Sequence, residues 1–260
     1  MLKLEILTTS LFEAYSQAVD IDWGNVRLPE ENGLPNVKPF DFYNSIASVY
    51  SSKIEGENIE LDSFVKHKFY NVPYQADYTK KADDLYDAYQ YAQTFELSFK
   101  HVMEAHKKLS EHLLSPTARG VLRNNIMFVM NEQDRIIYVA CDPKLVEQET
   151  EKLFRDVDAL LQADLSIPEV FYYAAFIHLM FVKIHPMQDG NGRLARLIEK
   201  WFIASKLGKD YWQLKSEKYY YTSITDYYRH LAVSGTEYDE LNLAKALPFL
   251  KMLPQSITYQ

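Results

Sequence analysis

Apolar residues recur at helical spacing along most of the chain, and the strongest such run is Val170 to Ile184. Ser166 and Pro168 precede it and suit a helix N-cap and first turn. The run is 15 residues long and is interrupted by His178 and Lys183, which is too short for a bilayer span and predicts a buried core helix. A second stripe, Leu194, Leu197, Ile198, Trp201, Phe202 and Ile203, predicts another core helix that Gly208 stops. Similar periodicity predicts helices over Ala82 to Phe95, Val102 to Leu114 and Tyr238 to Leu253. One region breaks the pattern. Ile126 to Met130 and Ile136 to Ala140 are short β-branched and apolar runs around the polar segment 131–135, which predicts a hairpin. Asp142-Pro143 resembles the cap and first position of a helix running to Ala163. Leu28 to Pro39 predicts a surface loop. The fold expected is mainly α, with one β-hairpin.

With 260 residues and 47% hydrophobic content the chain has ample material for a core. Lys and Arg number 28 against 36 Asp and Glu, a net charge of -8, which argues against a broad grip on nucleic acid or an anionic membrane. Any anion site must be local. The first 17 residues carry Glu5 and Glu13 and lack the order of a secretory signal. A single cysteine, Cys141, allows no intrachain disulfide and fits a reducing cytoplasm. Cys141 reads as a buried filler rather than a nucleophile.

The chemistry gathers between the two core helices, in His185-Pro186-Met187-Gln188-Asp189-Gly190-Asn191-Gly192-Arg193-Leu194-Ala195-Arg196. A helix N-terminus offers unpaired N–H groups and the positive end of a dipole to phosphate, and Gly190 and Gly192 permit the turn that aims them. Arg193 and Arg196 lie three apart on one face and suit the oxygens of a di- or triphosphate. Asp189 supplies a hard oxygen suited to Mg²⁺. His185 can take a proton from a hydroxyl. Three other readings compete. Gly190-x-Gly192-x-x-Ala195 formally matches a dinucleotide fingerprint, but no strand precedes it. His178, His185 and Asp189 are conceivable metal ligands, although His178 sits on an apolar face. Asp189 to Gly192 alone would be a plain helix-to-helix turn.

These residues resemble the signature of the Fic family, His-Pro-Phe-x-Asp/Glu-Gly-Asn-Gly/Lys-Arg-x-x-Arg, with Met187 in place of Phe. The resemblance runs from about Val102 to about His230. It implies a Fic-like helical bundle with a flap, and transfer of AMP from ATP to a hydroxyl of a target protein. By this resemblance His185 is the general base and Asp189 the Mg²⁺ ligand. Asn191 helps hold the α-phosphate, Gly190 and Gly192 frame an anion hole, and Arg193 and Arg196 hold the β- and γ-phosphates. The hairpin becomes a target-docking flap, with Ile126, Met127, Phe128, Ile136, Ile137 and Tyr138 as its apolar residues.

Upstream, Ser51-Ser52-Lys53-Ile54-Glu55-Gly56 resembles the family's inhibitory motif, Ser/Thr-x-x-x-Glu-Gly/Asn, at Ser51, Glu55 and Gly56. Read alone, Ser52 to Glu55 is also a capping box opening a helix. The motif's place before the core matches the subclass with an N-terminal inhibitory helix in the same chain. The domains expected are an N-terminal helical region over 1–95, a catalytic core over 96–212 and a helical extension over 213–260. The tyrosines of that extension, Tyr219, Tyr220, Tyr221, Tyr227 and Tyr228, read as core packing and pocket wall. The expected function is a protein adenylyltransferase using ATP and Mg²⁺ on a target protein and autoinhibited by Glu55 competing with the γ-phosphate for Arg196, with no nucleic acid or membrane partner. Removal of AMP from a modified protein and a non-catalytic nucleotide sensor are the alternatives. Homodimers are common in the resembled family, but no feature here demonstrates one.

Overall fold

Ser166 opens helix α7 (Ile167–Ile184) with a capping box to Glu169, and Pro168 occupies the first turn, where its missing N–H is no loss. Apolar residues cover every face of this helix, so nearly all of it from Val170 onward is buried. Its 18 residues exceed the apolar run and would suffice for a bilayer by length and composition, yet 78% of it is buried inside the protein. It is a core helix. The computed structural model describes residues 3–26, 28, 34–73, 76–130 and 133–259. Before α7 come α1 (Phe12–Ala18), α2 (Pro39–Ile54), α3 (Leu61–Tyr70), α4 (Ala76–Thr94), α5 (Phe99–Leu109) and α6 (Val146–Gln162). After it come α8 (Asn191–Leu207), α9 (Ser216–Thr222), α10 (Ile224–Ala232), α11 (Leu247–Leu250) and α12 (Met252–Thr258).

α7 and α8 pack along one another as the axis of the molecule, with α1, α6, α11 and α12 against α7 and α2, α4, α5 and α6 against α8. One contiguous apolar core draws on the whole chain, from Ala47 and Leu85 through Ile177 and Leu197 to Phe249. A second cluster, Val49, Ile59, Phe64, Ala82 and Tyr86, joins α2, α3 and α4. Packing α2 on α8 brings the C-terminus of α2 to the first turn of α8. That approach builds the site.

The hairpin consists of β1 (Phe128–Met130) and β2 (Ile136–Val139), antiparallel, with the register slipping between Val129 and Met130. It is shorter than the apolar runs predict. Positions 131 and 132 of its tip, and 29–33 of the loop from Leu28 to Pro39, lie outside the described residues. Other boundaries also differ. Val102 to Leu114 becomes α5, which Ser98 opens by accepting from the His101 N–H and which ends at Leu109. Asp142-Pro143 forms a turn, with the Asp142 side chain accepting from the Lys144 N–H, and α6 starts only at Val146. Tyr238 to Leu253 is not one helix. Two 3-10 turns, α11 and α12 replace it, because Asn242 caps a turn locally and Pro248 has no N–H with which to continue a helix. Nor is Ser52 to Glu55 a helix start. Ser52 lies inside α2 and Glu55 is its C-cap, after which Gly56 turns the chain at φ 85°.

Candidate active site

α7 ends on His185, which adopts a left-handed conformation (φ 55°, ψ 57°) while its N–H closes the last helical turn on Phe181. The ring Nδ1 donates to the Val182 carbonyl at 3.2 Å, so Nε2 keeps a free lone pair. Burial pushes the pKa of His185 below its ordinary value, an effect that the Val182 bond opposes and the positive Arg123 reinforces. The imidazole is therefore neutral at neutral pH, with the Nε2 lone pair able to accept a proton. A cavity of about 210 Å³ opens beside it, lined by Glu55, Gly192 and Arg196, by Val129, Ile137 and Tyr138 of the hairpin, and by Tyr228 and Leu231.

Three side chains hold the turn from His185 to α8. Asn191, 2% exposed, clasps Met187 with both amide atoms, accepting from its N–H and donating to its carbonyl, each at 2.8 Å. The Asn191 side chain is thus committed to the turn, so any contact of this residue with an α-phosphate falls to its backbone N–H. Gly190 sits at φ 78°, and a Cβ there would lie 2.8 Å from Leu109, so glycine is required on both counts. Met187 is fully buried and fills its apolar slot in place of Phe. His106, which sequence reading missed, donates from Nε2 to the Asp189 carbonyl and accepts from the Gly120 N–H at Nδ1.

α8 then opens with N–H groups that have no intrahelical acceptor. Arg193 is 3% exposed, its Nη2 lies 3.3 Å from Glu57, and its buried Nε finds no partner among the described residues. Arg196 is fully buried and fully engaged. Its Nε donates to the Ser51 hydroxyl, its Nη2 to the Ser51 carbonyl and to Glu55 Oε1 at 2.6 Å, and its Nη1 to the Tyr227 hydroxyl. Burial by itself would raise the Glu55 carboxyl, but Arg196 and Arg193 outweigh it and hold the pKa below the ordinary value. Ser51 and Glu55, four apart on the last turn of α2, thus grip one guanidinium. Gly56 supplies the bend that sends Glu57 toward Arg193 and Lys81.

Behind Arg196, Tyr227 reaches His178 Nε2 at 3.0 Å, and His178 Nδ1 reaches Glu199 at 2.7 Å. Both ring nitrogens of His178 are therefore committed, which removes it as a metal ligand alongside His185 and Asp189. Asp189 is exposed, and one of its oxygens accepts the Gly190 N–H. Among the described residues no cluster of three or more His, Cys, Asp and Glu side chains could hold a metal. One exposed carboxylate beside the N-terminus of α8 has the chemistry that Mg²⁺ takes, since that ion uses one or two carboxylates and completes its shell with phosphates and water. Cys141 is buried, and that burial pushes its thiol up to about 12, so it is inert.

The hairpin exposes Ile126, Phe128, Ile136 and Ile137, while Met127 is half-buried and its carbonyl accepts the Ala140 N–H. Tyr138 points inward, and its hydroxyl donates to the Lys183 carbonyl. On the outer edge of β2 the Val139 N–H is taken by Thr236.

Residues 96–203 match the Fic/DOC family. The fold is similar to that of a Fic family protein from Desulfovibrio desulfuricans G20 (TM-score 0.74, 18% identity, 98% of this chain and 74% of that one). It is also similar to a Fic domain containing signaling protein from Bacteroides thetaiotaomicron VPI-5482 (TM-score 0.65, 16% identity, 96% and 94% covered). Fic-1 from C. elegans, residues 134–508, superimposes with a TM-score of 0.59 at 17% identity, over 95% of this chain and 67% of that one. No protein of curated function matches the sequence.

Proposed function

We propose, from the premise that residues 96–203 form a Fic/DOC-family domain, that this protein transfers AMP from ATP to a Ser, Thr or Tyr hydroxyl of a target protein and is held back by Glu55. The observation that carries the reading is the engagement of Arg196 by Glu55 and Ser51, beside a neutral His185 and in one cavity. The N–H groups opening α8, with Arg193 and Arg196, bind the phosphates. His185 Nε2 accepts the proton of the target hydroxyl, whose oxygen bonds to the α-phosphorus as the bond to pyrophosphate breaks. Asp189 would hold Mg²⁺, which supplies charge neutralisation to the phosphates when bound.

The brake is competition for cations. A triphosphate needs the guanidinium that Glu55 occupies and must lie beside that carboxylate's charge. Glu57 adds to this, because it engages Arg193, the other phosphate ligand. Glu55 also lines the cavity shared with His185, which places a carboxylate where it can orient a water. Hydrolysis of an AMP-protein bond is therefore the second reading.

Labelled ATP and Mg²⁺ with candidate target proteins decide between them. Label incorporated by Glu55→Gly, and lost again when His185→Ala is added, supports transfer. Label removed from a premodified target by the wild-type protein alone supports the reverse reaction, and neither outcome with any target removes the enzymatic reading.

A further inference from the structure

A helix leaves its last carbonyls without N–H partners, and α7 ends where its geometry matters most, at His185. Those carbonyls are nevertheless paired, and almost all from the hairpin or its stem. Tyr138 of β2 donates its hydroxyl to the Lys183 carbonyl at 2.7 Å. Arg123, on the strand-like stem before β1, donates Nη2 to Ile184 at 3.2 Å, Nε to His185 at 2.6 Å and its backbone N–H to Pro186 at 2.9 Å. The same guanidinium reaches both ends of the hairpin, with Nη1 on the Asn125 carbonyl and Nη2 on the Cys141 carbonyl, each at 2.6 Å.

Arg123 is 5% exposed, and among the described residues its guanidinium donates only to backbone carbonyls. Burying a cation without a carboxylate is expensive, and the cost shows in the lowered pKa that burial gives Arg123. The negative end of the α7 dipole offsets part of it. A planar fork is the one side chain that can bridge four carbonyls in three directions.

We propose that Arg123 is a positioning residue that makes the hairpin and His185 one rigid unit, so that a hydroxyl presented by a segment docked on the hairpin meets the imidazole at reacting distance. This rests on His185 as the base of the reaction proposed above. The hydrogen bonds of Arg123 end on Asn125, Cys141, Ile184, His185 and Pro186, and none reaches the α8 residues proposed to bind phosphate. Loss of Arg123 therefore separates two quantities that general destabilisation would lower together.

The test uses the full chain, with Arg123→Met and Arg123→Lys each placed in the Glu55→Gly background. At saturating ATP, transfer should fall on the order of 10²-fold, the penalty for a displacement of about 1 Å, while ATP affinity stays within about threefold. Lys should not rescue, since it keeps the charge but is a point donor that cannot span the four carbonyls. The ¹⁵N signals of the His185 ring should change from a single Nδ1–H tautomer to a mixture. That readout needs no transfer activity, so it judges Arg123 even where the Glu55→Gly parent transfers nothing and the functional reading falls. Tyr138→Phe, which removes only the Lys183 bond, serves where Arg123→Met does not fold. Transfer retained within about threefold, ATP affinity falling in step with rate, or an unchanged single tautomer would each overturn the proposal.

Discussion

Replacing Glu55 with glycine should tighten ATP binding and leave AMP binding nearly unchanged. Arg196 Nη2 lies 2.6 Å from Glu55 Oε1, and the arginine side chain is only 1% exposed. Unit charges about 4 Å apart attract by ~4 kcal/mol at an effective dielectric near 20. Glu55 keeps 31% of its side chain exposed, so solvent screens part of this, and a net value of about 1.5–3 kcal/mol for the charge-assisted hydrogen bond is the better guide. A γ-phosphate must first displace that carboxylate and then lie beside it. Removing Glu55 relieves both penalties, so ATP affinity should rise by about 2–4 kcal/mol, roughly 30- to 1,000-fold. AMP carries no phosphate that needs Arg196, so its affinity should move less than about threefold. Glu55 has φ −87°, which any residue adopts, so glycine relieves no backbone strain there. Titration calorimetry with ATP, ADP and AMP on the wild type, Glu55→Gly and the shape-conserving Glu55→Gln checks this. Equal gains for ATP and AMP, or none for ATP, would refute competition for Arg196 as the brake.

Three further outcomes follow from the same geometry. Glu57→Gln should raise ATP affinity only about two- to fivefold, because its 3.3 Å contact with Arg193 is partly exposed and shared with Lys81; calorimetry in wild-type and Glu55→Gly backgrounds measures it. Gly190→Ala should cost about 1–3 kcal/mol in urea unfolding, from the positive φ and the collision with Leu109. Burial lowers the pKa of His106, so below about pH 6.5 the unfolded chain binds a proton there that the folded chain refuses, and stability falls as pH falls. His106→Gln should accordingly be less stable than wild type at neutral pH and lose part of that acid dependence, so thermal melts should converge toward about pH 5.

The elements that local pattern could specify were specified locally. Ser166, Pro168 and the apolar run behind them define where α7 starts, because a cap and a helical stripe involve residues within a turn of each other. The twelve residues from His185 to Arg196 likewise carry their chemistry in their own spacing, with Gly190 at a positive φ and both arginines on the first turns of α8. The Ser51-to-Gly56 pattern is legible in the sequence, but its position at a helix end is set by Gly56, which closes α2. The long C-terminal stripe misled, because periodicity does not register a proline that has no N–H to give.

What the amino-acid order settled, then, is the identity of the chemical groups and the helices that carry them. Which carboxylate meets Arg193 was decided by packing. Glu57 reaches Arg193 across 136 residues, His106 reaches the Asp189 carbonyl across 83 and Arg123 reaches His185 across 62. None of these partners is implied by spacing, since each depends on where α2, α5 and the hairpin stem come to rest against the α7–α8 axis. Hydrogen bonds are satisfied in space, and a buried donor takes whichever acceptor the tertiary fold brings to it.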